Sequence, residues 1–100
     1  MALLYIWEFS DTLALSDKLM AAAAPGVLQQ VPVTIGAGSL QSAAFTGATR
    51  FVRLHTDVIC SINIGTNPTA IANSNARMAA NQTEYFAVSP GQQVAVIAST

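Results

Sequence analysis

Residues 49–65, TRFVRLHTDVICSINIG, gather the groups of this chain best suited to chemistry. They hold Arg50, Arg53, the only histidine (His55), the only cysteine (Cys60) and Asp57. A histidine and an aspartate two positions apart share one face of a strand. Such a pair orients an imidazole for base catalysis, with Cys60 or a serine as nucleophile. Strand parity opposes that arrangement. Cys60 sits at an even position and His55 and Asp57 at odd ones, so on a continuous strand the thiol points to the opposite face. A turn at residues 55–57 would break the shared direction altogether. Arg53, His55 and Asp57 are therefore expected to form a polar row facing water or a neighbouring subunit, and the chain is expected not to be an enzyme.

Other chemistries find less support. One histidine and five carboxylic acids, scattered at Glu8, Asp11, Asp17, Asp57 and Glu84, give no metal-ligand spacing. A single cysteine excludes an internal disulfide and a cysteine-based zinc site. The stretch Gly36-Ala37-Gly38-Ser39 lacks the lysine and the following helix of a phosphate-binding loop. No metal and no cofactor is expected. Four basic residues against five acidic ones leave no patch able to neutralise phosphates, so no nucleic-acid partner is expected. Arg50, Arg53 and Arg77 are better suited to pairing with carboxylates, in this chain or a neighbour. Tyr5 and Trp7 lie on an apolar strand face, where core packing is the default and an interface anchor the sharper alternative.

The elements that must position these groups read as short strands. Residues 3–9, LLYIWEF, alternate: Leu3, Tyr5, Trp7 and Phe9 on one face, Leu4, Ile6 and Glu8 on the other. Residues 12–30 are ambiguous. SDKLMAAAAPG has a helix start and stop, but it offers little to bury, and an extended arm or loop is preferred. Residues 27–36 look extended, with Val31, Val33 and Ile35 on one face and Pro32 marking a strand edge or start. From Arg50 to Ile64 the even positions are almost all apolar, which predicts two core strands, at about 50–55 and 58–64, broken near HTD. Residues 70–79 read as a loop or short edge strand. Around SPGQ, Pro90-Gly91 has the residues of a type II turn and predicts a hairpin of residues 84–88 with 93–98. The sum is a single all-β domain over residues 1–100, a small antiparallel β-sandwich or barrel of about seven or eight strands. Its core is expected within 38–98, with 1–35 as an N-terminal arm or edge strand.

Three segments carry a resemblance: QSAAF at 41–45, TRFVRLHTDVICSINIGTNPTA at 49–70 and RMAANQTEYFAVSPGQQVAVI at 77–97. Together they resemble a family of small structural proteins of tailed bacteriophages. The resemblance implies a β-sandwich virion component, foremost a capsid decoration (cement) protein that binds and stabilises the head shell. It carries over no catalytic residue. A head–tail joining or tail component forming a ring is the alternative within the virion. A carbohydrate-binding module on a fibre ranks lower, because the seven aromatic residues fall mostly at positions assigned to the core.

Composition agrees with an assembly role. Charged residues make up 9% of the chain, against about 25% in an ordinary soluble domain, and the net charge is -1. Little electrostatic repulsion opposes association. The expected partners are the major capsid protein or other virion proteins and further copies of the chain, a trimer foremost. Tyr5, Trp7, Arg53, His55, Asp57 and Arg77 are the candidates for a subunit or capsid interface. The first residues lack a basic leader region and carry Glu8 within the apolar run, and no run approaches the ~18 apolar residues of a membrane span. The expected location is the capsid surface, after synthesis in the host bacterial cytoplasm.

Overall fold

A computed structural model describes residues 2–10, 13–15, 18–20, 26–74 and 76–100. In chain order the strands are β1 (Leu3–Phe9), β2 (Leu13–Leu15), β3 (Lys18–Met20), β4 (Gly26–Gln29), β5 (Val33–Thr34), β6 (Leu40–Gln41), β7 (Phe51–Thr56), β8 (Cys60–Gly65), β9 (Ala76–Met78), β10 (Thr83–Ala87) and β11 (Gln93–Ala98). Among the described residues there is no helix. Two antiparallel sheets face each other: one in the order β10-β7-β1-β4, with β5 also on β1, and one in the order β6-β11-β8-β9. The chain is thus a small β-sandwich, with β2 and β3 pairing separately.

The period-2 pattern of residues 50–64 explains the core. Val52 and Leu54 from β7, with Leu4 and Ile6 from β1 beside them, belong to the same core as Cys60 and Ile62 from β8 and Val94 and Val96 from β11 in the facing sheet. Each such side chain contributes about 1.5–3 kcal/mol on full burial. The break at HTD has a local cause. The Thr56 hydroxyl donates to the Val58 carbonyl at 2.6 Å and accepts from its amide at 3.3 Å, a side-chain turn that competes with the ladder. The two strands it separates do not pair with each other: β7 is central in one sheet and β8 in the other.

Ser89 to Gln92 form the turn expected of Pro-Gly, with Gly91 at φ 81° and the Gln92 amide donating to the Ser89 carbonyl at 3.2 Å. The expected hairpin does not follow. β10 pairs with β7, and β11 pairs with β8 and β6. Turn chemistry reverses the chain but does not choose the partner. The connection of residues 88–92 is long enough to cross the roughly 10 Å between packed sheets. The chain also changes sheet between β7 and β8, and because β7 and β10 run antiparallel these two crossings lie at opposite ends of the sandwich.

Within residues 1–35, expected as an arm or edge strand, β4 and β5 do lie at a sheet edge, but β1 does not. β1 lies inside its sheet, pairing along its whole length with β7 and on its other side with β4 and β5. The core begins at Leu4, not near residue 38. The sheet's edge is β4 and β5, where Pro32 sits as expected. Val31, expected to share the core face with Val33 and Ile35, is 85% exposed. The chain jogs between β4 and β5, and Gln30 turns inward instead. Lys18–Met20, part of the expected helix-or-arm segment, is strand paired with Leu13–Leu15. The rest of that segment's helix signal, at residues 16–17 and 21–25, lies outside the described residues.

What Gln30 turns toward is Glu8, whose side chain is wholly buried. Glu8 Oε2 accepts from Gln30 Nε2 at 2.7 Å, and Oε1 accepts from the Thr46 amide at 2.9 Å and the Thr49 hydroxyl at 2.6 Å. The Gln30 amide is itself held in one orientation, donating to the Ala43 carbonyl and accepting from the Ala43 amide, both at 3.2 Å. Three donors converge on two oxygens. Glu8→Gln would turn an amide NH2 toward one of those donors, so it is expected to cost about 1–3 kcal/mol in urea unfolding, and Glu8→Ala at least as much. A chain lacking residues 1–12 loses the middle strand of its sheet and should show no cooperative unfolding transition; a retained transition would contradict the role of β1.

Candidate functional site

The groups that suggested catalysis are not brought together. His55 Nδ1 lies 2.8 Å from the Thr83 hydroxyl on β10. Asp57 leaves the strand direction, and its Oδ2 accepts from the Leu3 amide at 3.2 Å, tying down the start of β1. Cys60 is fully buried and donates to the Thr56 hydroxyl at 3.5 Å. Burial pushes its thiol up from the ordinary value, more than the bond to Thr56 pulls it down. A raised thiol holds little thiolate, the reactive form. Among the described residues no three histidine, cysteine or carboxyl groups cluster as metal ligands.

What the fold does assemble is a face. Across the first sheet, register pairs Tyr5 with His55 and His55 with Thr83, Trp7 with Arg53 and Arg53 with Tyr85, and Phe9 with Phe51. Residues in register share a face. Since Leu4, Ile6, Val52 and Leu54 point into the core, all of these point out. Phe9 and Phe51 stack at 4.7 Å and 9°, with Trp7 at 5.2 Å from Phe9 and Tyr85 at 6.5 Å from Phe51. The two phenylalanines are buried although they lie outside the core, whereas Trp7 is 40% and Tyr85 44% exposed. Tyr5 and His55 make a further ring contact at 6.1 Å.

Of the expected interface residues, Tyr5, Trp7, Arg53 and His55 therefore meet on one surface. Asp57 lies at its end. Arg77 is elsewhere, on β9 of the second sheet, where its Nε donates to the Thr100 carbonyl at 3.0 Å. Core packing, the default for Tyr5 and Trp7, is overturned. So is the assignment of most aromatics to the core: Tyr5, Trp7, Phe9, Phe51 and Tyr85 all face outward, and Phe45 and Phe86 are the ones packed inward. Phe9, Phe51 and Tyr85 were missed as members of the face. The available signal was parity, since Phe51 alternates in step with Arg53 and His55, and Phe9 with Trp7.

The outer face of the second sheet is different. Gln41, Ala95 and Asn63 form one row across β6, β11 and β8. Gln41 Nε2 donates to Asn67 Oδ1 at 2.9 Å and the Pro68 carbonyl at 2.7 Å, and Asn63 Nδ2 to the Thr69 carbonyl at 3.1 Å. One row on, Ser61 Oγ accepts from the Asn73 amide at 3.1 Å. The segment from Asn67 to Asn73 thus lies over that sheet, and Ala95 beneath it is fully buried. The aromatic face keeps exposed rings, so it is the better binding surface of the two.

No protein family, no curated protein and no solved structure matches this chain.

The position of Cys60 gives a direct check. Iodoacetamide at mildly alkaline pH should leave the folded protein unmodified and alkylate it fully in denaturant. With the folded value raised, the unfolded chain loses its thiol proton first, so stability should fall as pH rises above the ordinary thiol range, by urea titration.

Proposed function

We propose that this protein is a non-catalytic virion component of a tailed bacteriophage, a capsid decoration protein that docks through the outer face of its first sheet. The observation that carries the docking face is the row Trp7–Arg53–Tyr85, two exposed rings either side of a guanidinium, beside the buried Phe9–Phe51 stack. Tryptophan, tyrosine and arginine are the residue types that dominate binding energy at protein interfaces. The stacked pair beside them contacts both rings and limits their freedom, so less conformational freedom is lost on docking. The virion assignment is supported by the resemblance of residues 41–45, 49–70 and 77–97 to phage structural proteins, and by the low charge. Repeated assembly on equivalent shell sites calls for a rigid shape and apolar contact, which a sandwich of this kind supplies. A homo-oligomer, a trimer foremost, with the major capsid protein as partner, fits the same surface.

A carbohydrate-binding module is the second reading, now favoured by a specific observation: two exposed aromatic rings on one sheet face are a platform on which sugar rings stack. A head–tail ring has no comparable observation in its favour.

Trp7→Ala should weaken attachment to capsids by about 30-fold or more, the loss of an interface anchor worth about 2 kcal/mol. Its melting temperature should change little, since the ring is part-exposed. Copy number by mass spectrometry and position in particle images complete the test. Copies matching the capsid lattice support decoration, copies matching one ring per particle support joining, and glycan binding without particle binding supports the module.

A further inference from the structure

The three arginines differ in what holds them. Arg50 Nη1 donates to the Gly47 and Thr49 carbonyls, each at 3.2 Å, and Arg77 is bonded to Thr100. Arg53 has no side-chain hydrogen bond or ion pair among the described residues, although it is half-buried. A guanidinium brings five donors in a planar fork and no acceptor, so one held in a partly dry place without partners is poised to receive one.

The surroundings say what kind. Register sets Trp7 on one side of Arg53 and Tyr85 on the other, each one strand away, so their backbones stand about 10 Å apart across it. Among the described residues no carboxyl group from this chain competes for the fork. Glu8 and Glu84 pair with Val52 and Leu54, positions of the opposite face. Asp57, at the end of the aromatic face, is engaged by the Leu3 amide. The face is therefore cationic and apolar together, and it is complemented by a single anion set in apolar surroundings. A polyanion such as nucleic acid would need several cations, and a chain with four basic residues and net charge -1 does not supply them.

We infer that Arg53, framed by Trp7 and Tyr85, is the anchor for one Asp or Glu side chain on the surface of the partner protein. This deepens the docking-face reading and rests on it. The carboxylate accepts two parallel hydrogen bonds from the fork, and the flanking rings exclude water from the pair, which strengthens it.

The test measures occupancy on virions of the encoding phage, stripped of the protein and re-incubated with wild type, Arg53→Met, Arg53→Lys and Trp7→Ala. Arg53→Met keeps the apolar stem and has no internal partner to lose, so it should melt like wild type. It should bind roughly 30-fold or more weakly and lose the decline in binding with ionic strength that wild type shows. Arg53→Lys should restore only part, because an ammonium lacks the fork. Converting virion carboxylates to amides should abolish wild-type binding. If Arg53→Met binds like wild type while Trp7→Ala does not, the anchor is overturned and the docking face stands. If wild type does not bind virions, both are overturned. Arg53-dependent binding to a uronic-acid oligosaccharide in place of virions would overturn the protein partner.

Discussion

Glu8 is a carboxyl group with no access to water, and two other parts of the chain are tied to it by three donors. It stands on the middle strand of the first sheet. Through Gln30 it holds the jog between β4 and β5, and through Thr46 and Thr49 it holds the segment that leads into β7. A buried polar group without partners costs several kcal/mol, so the three donors are a requirement of the fold and not an addition to it. They act together: the Gln30 amide is oriented by Ala43, the Thr49 hydroxyl lies 2.7 Å from that of Thr46, and the Thr46 carbonyl accepts from the Thr49 amide at 3.2 Å. Phe9 follows Glu8 directly in sequence, and Phe51 lies two positions after Thr49. Their stacking, and with it the placement of Trp7 and Tyr85, depends on β1 and β7 being fixed at that end.

The two sheets divide the work. The second packs on the core within, and the segment from Asn67 to Asn73 covers part of its outer side, leaving Gln41 and Arg77 exposed. That segment is held mainly through its backbone groups, and Asn67 and Asn73 adopt positive φ, at 51° and 60°, which asparagine tolerates better than most residues. The first sheet is sealed only on its core side. Its outer face carries aromatic and cationic groups set in rows by strand register, which is a more exact positioning than loops provide. A binding surface built on the middle strands of a sheet is as rigid as the sheet itself.

Much of this architecture is legible in the sequence, and its limits are physical. Alternation located β1, β7 and β8 and the break at HTD, because period 2 follows directly from strand geometry. The residues of the Pro90-Gly91 turn were equally readable, since φ near 81° at Gly91 suits glycine. Alternation does not say which face is inward. For β1 both faces are largely apolar, and only the register with β7, whose other face is plainly Val52 and Leu54, turns Leu4 and Ile6 in and Tyr5 and Trp7 out. Pairing partners were equally beyond local rules: β10 and β11 join opposite sheets across a turn that looks like a hairpin. The burial of Glu8 had no local signal, because its donors lie 22 to 41 residues away.

The central place of β1 has a consequence in time. It leaves the ribosome well before its partner, since its longer ladder joins residues 4–9 to 51–56. Until residues 51–56 have been made, LLYIWEF has no β7 to pair with and keeps an open ladder edge. A seven-residue run of high β propensity with one charge is the composition from which intermolecular sheets nucleate. The nascent chain is therefore most prone to misassembly at the strand that carries Tyr5 and Trp7, and the rate at which residues 51–56 emerge sets how long that interval lasts.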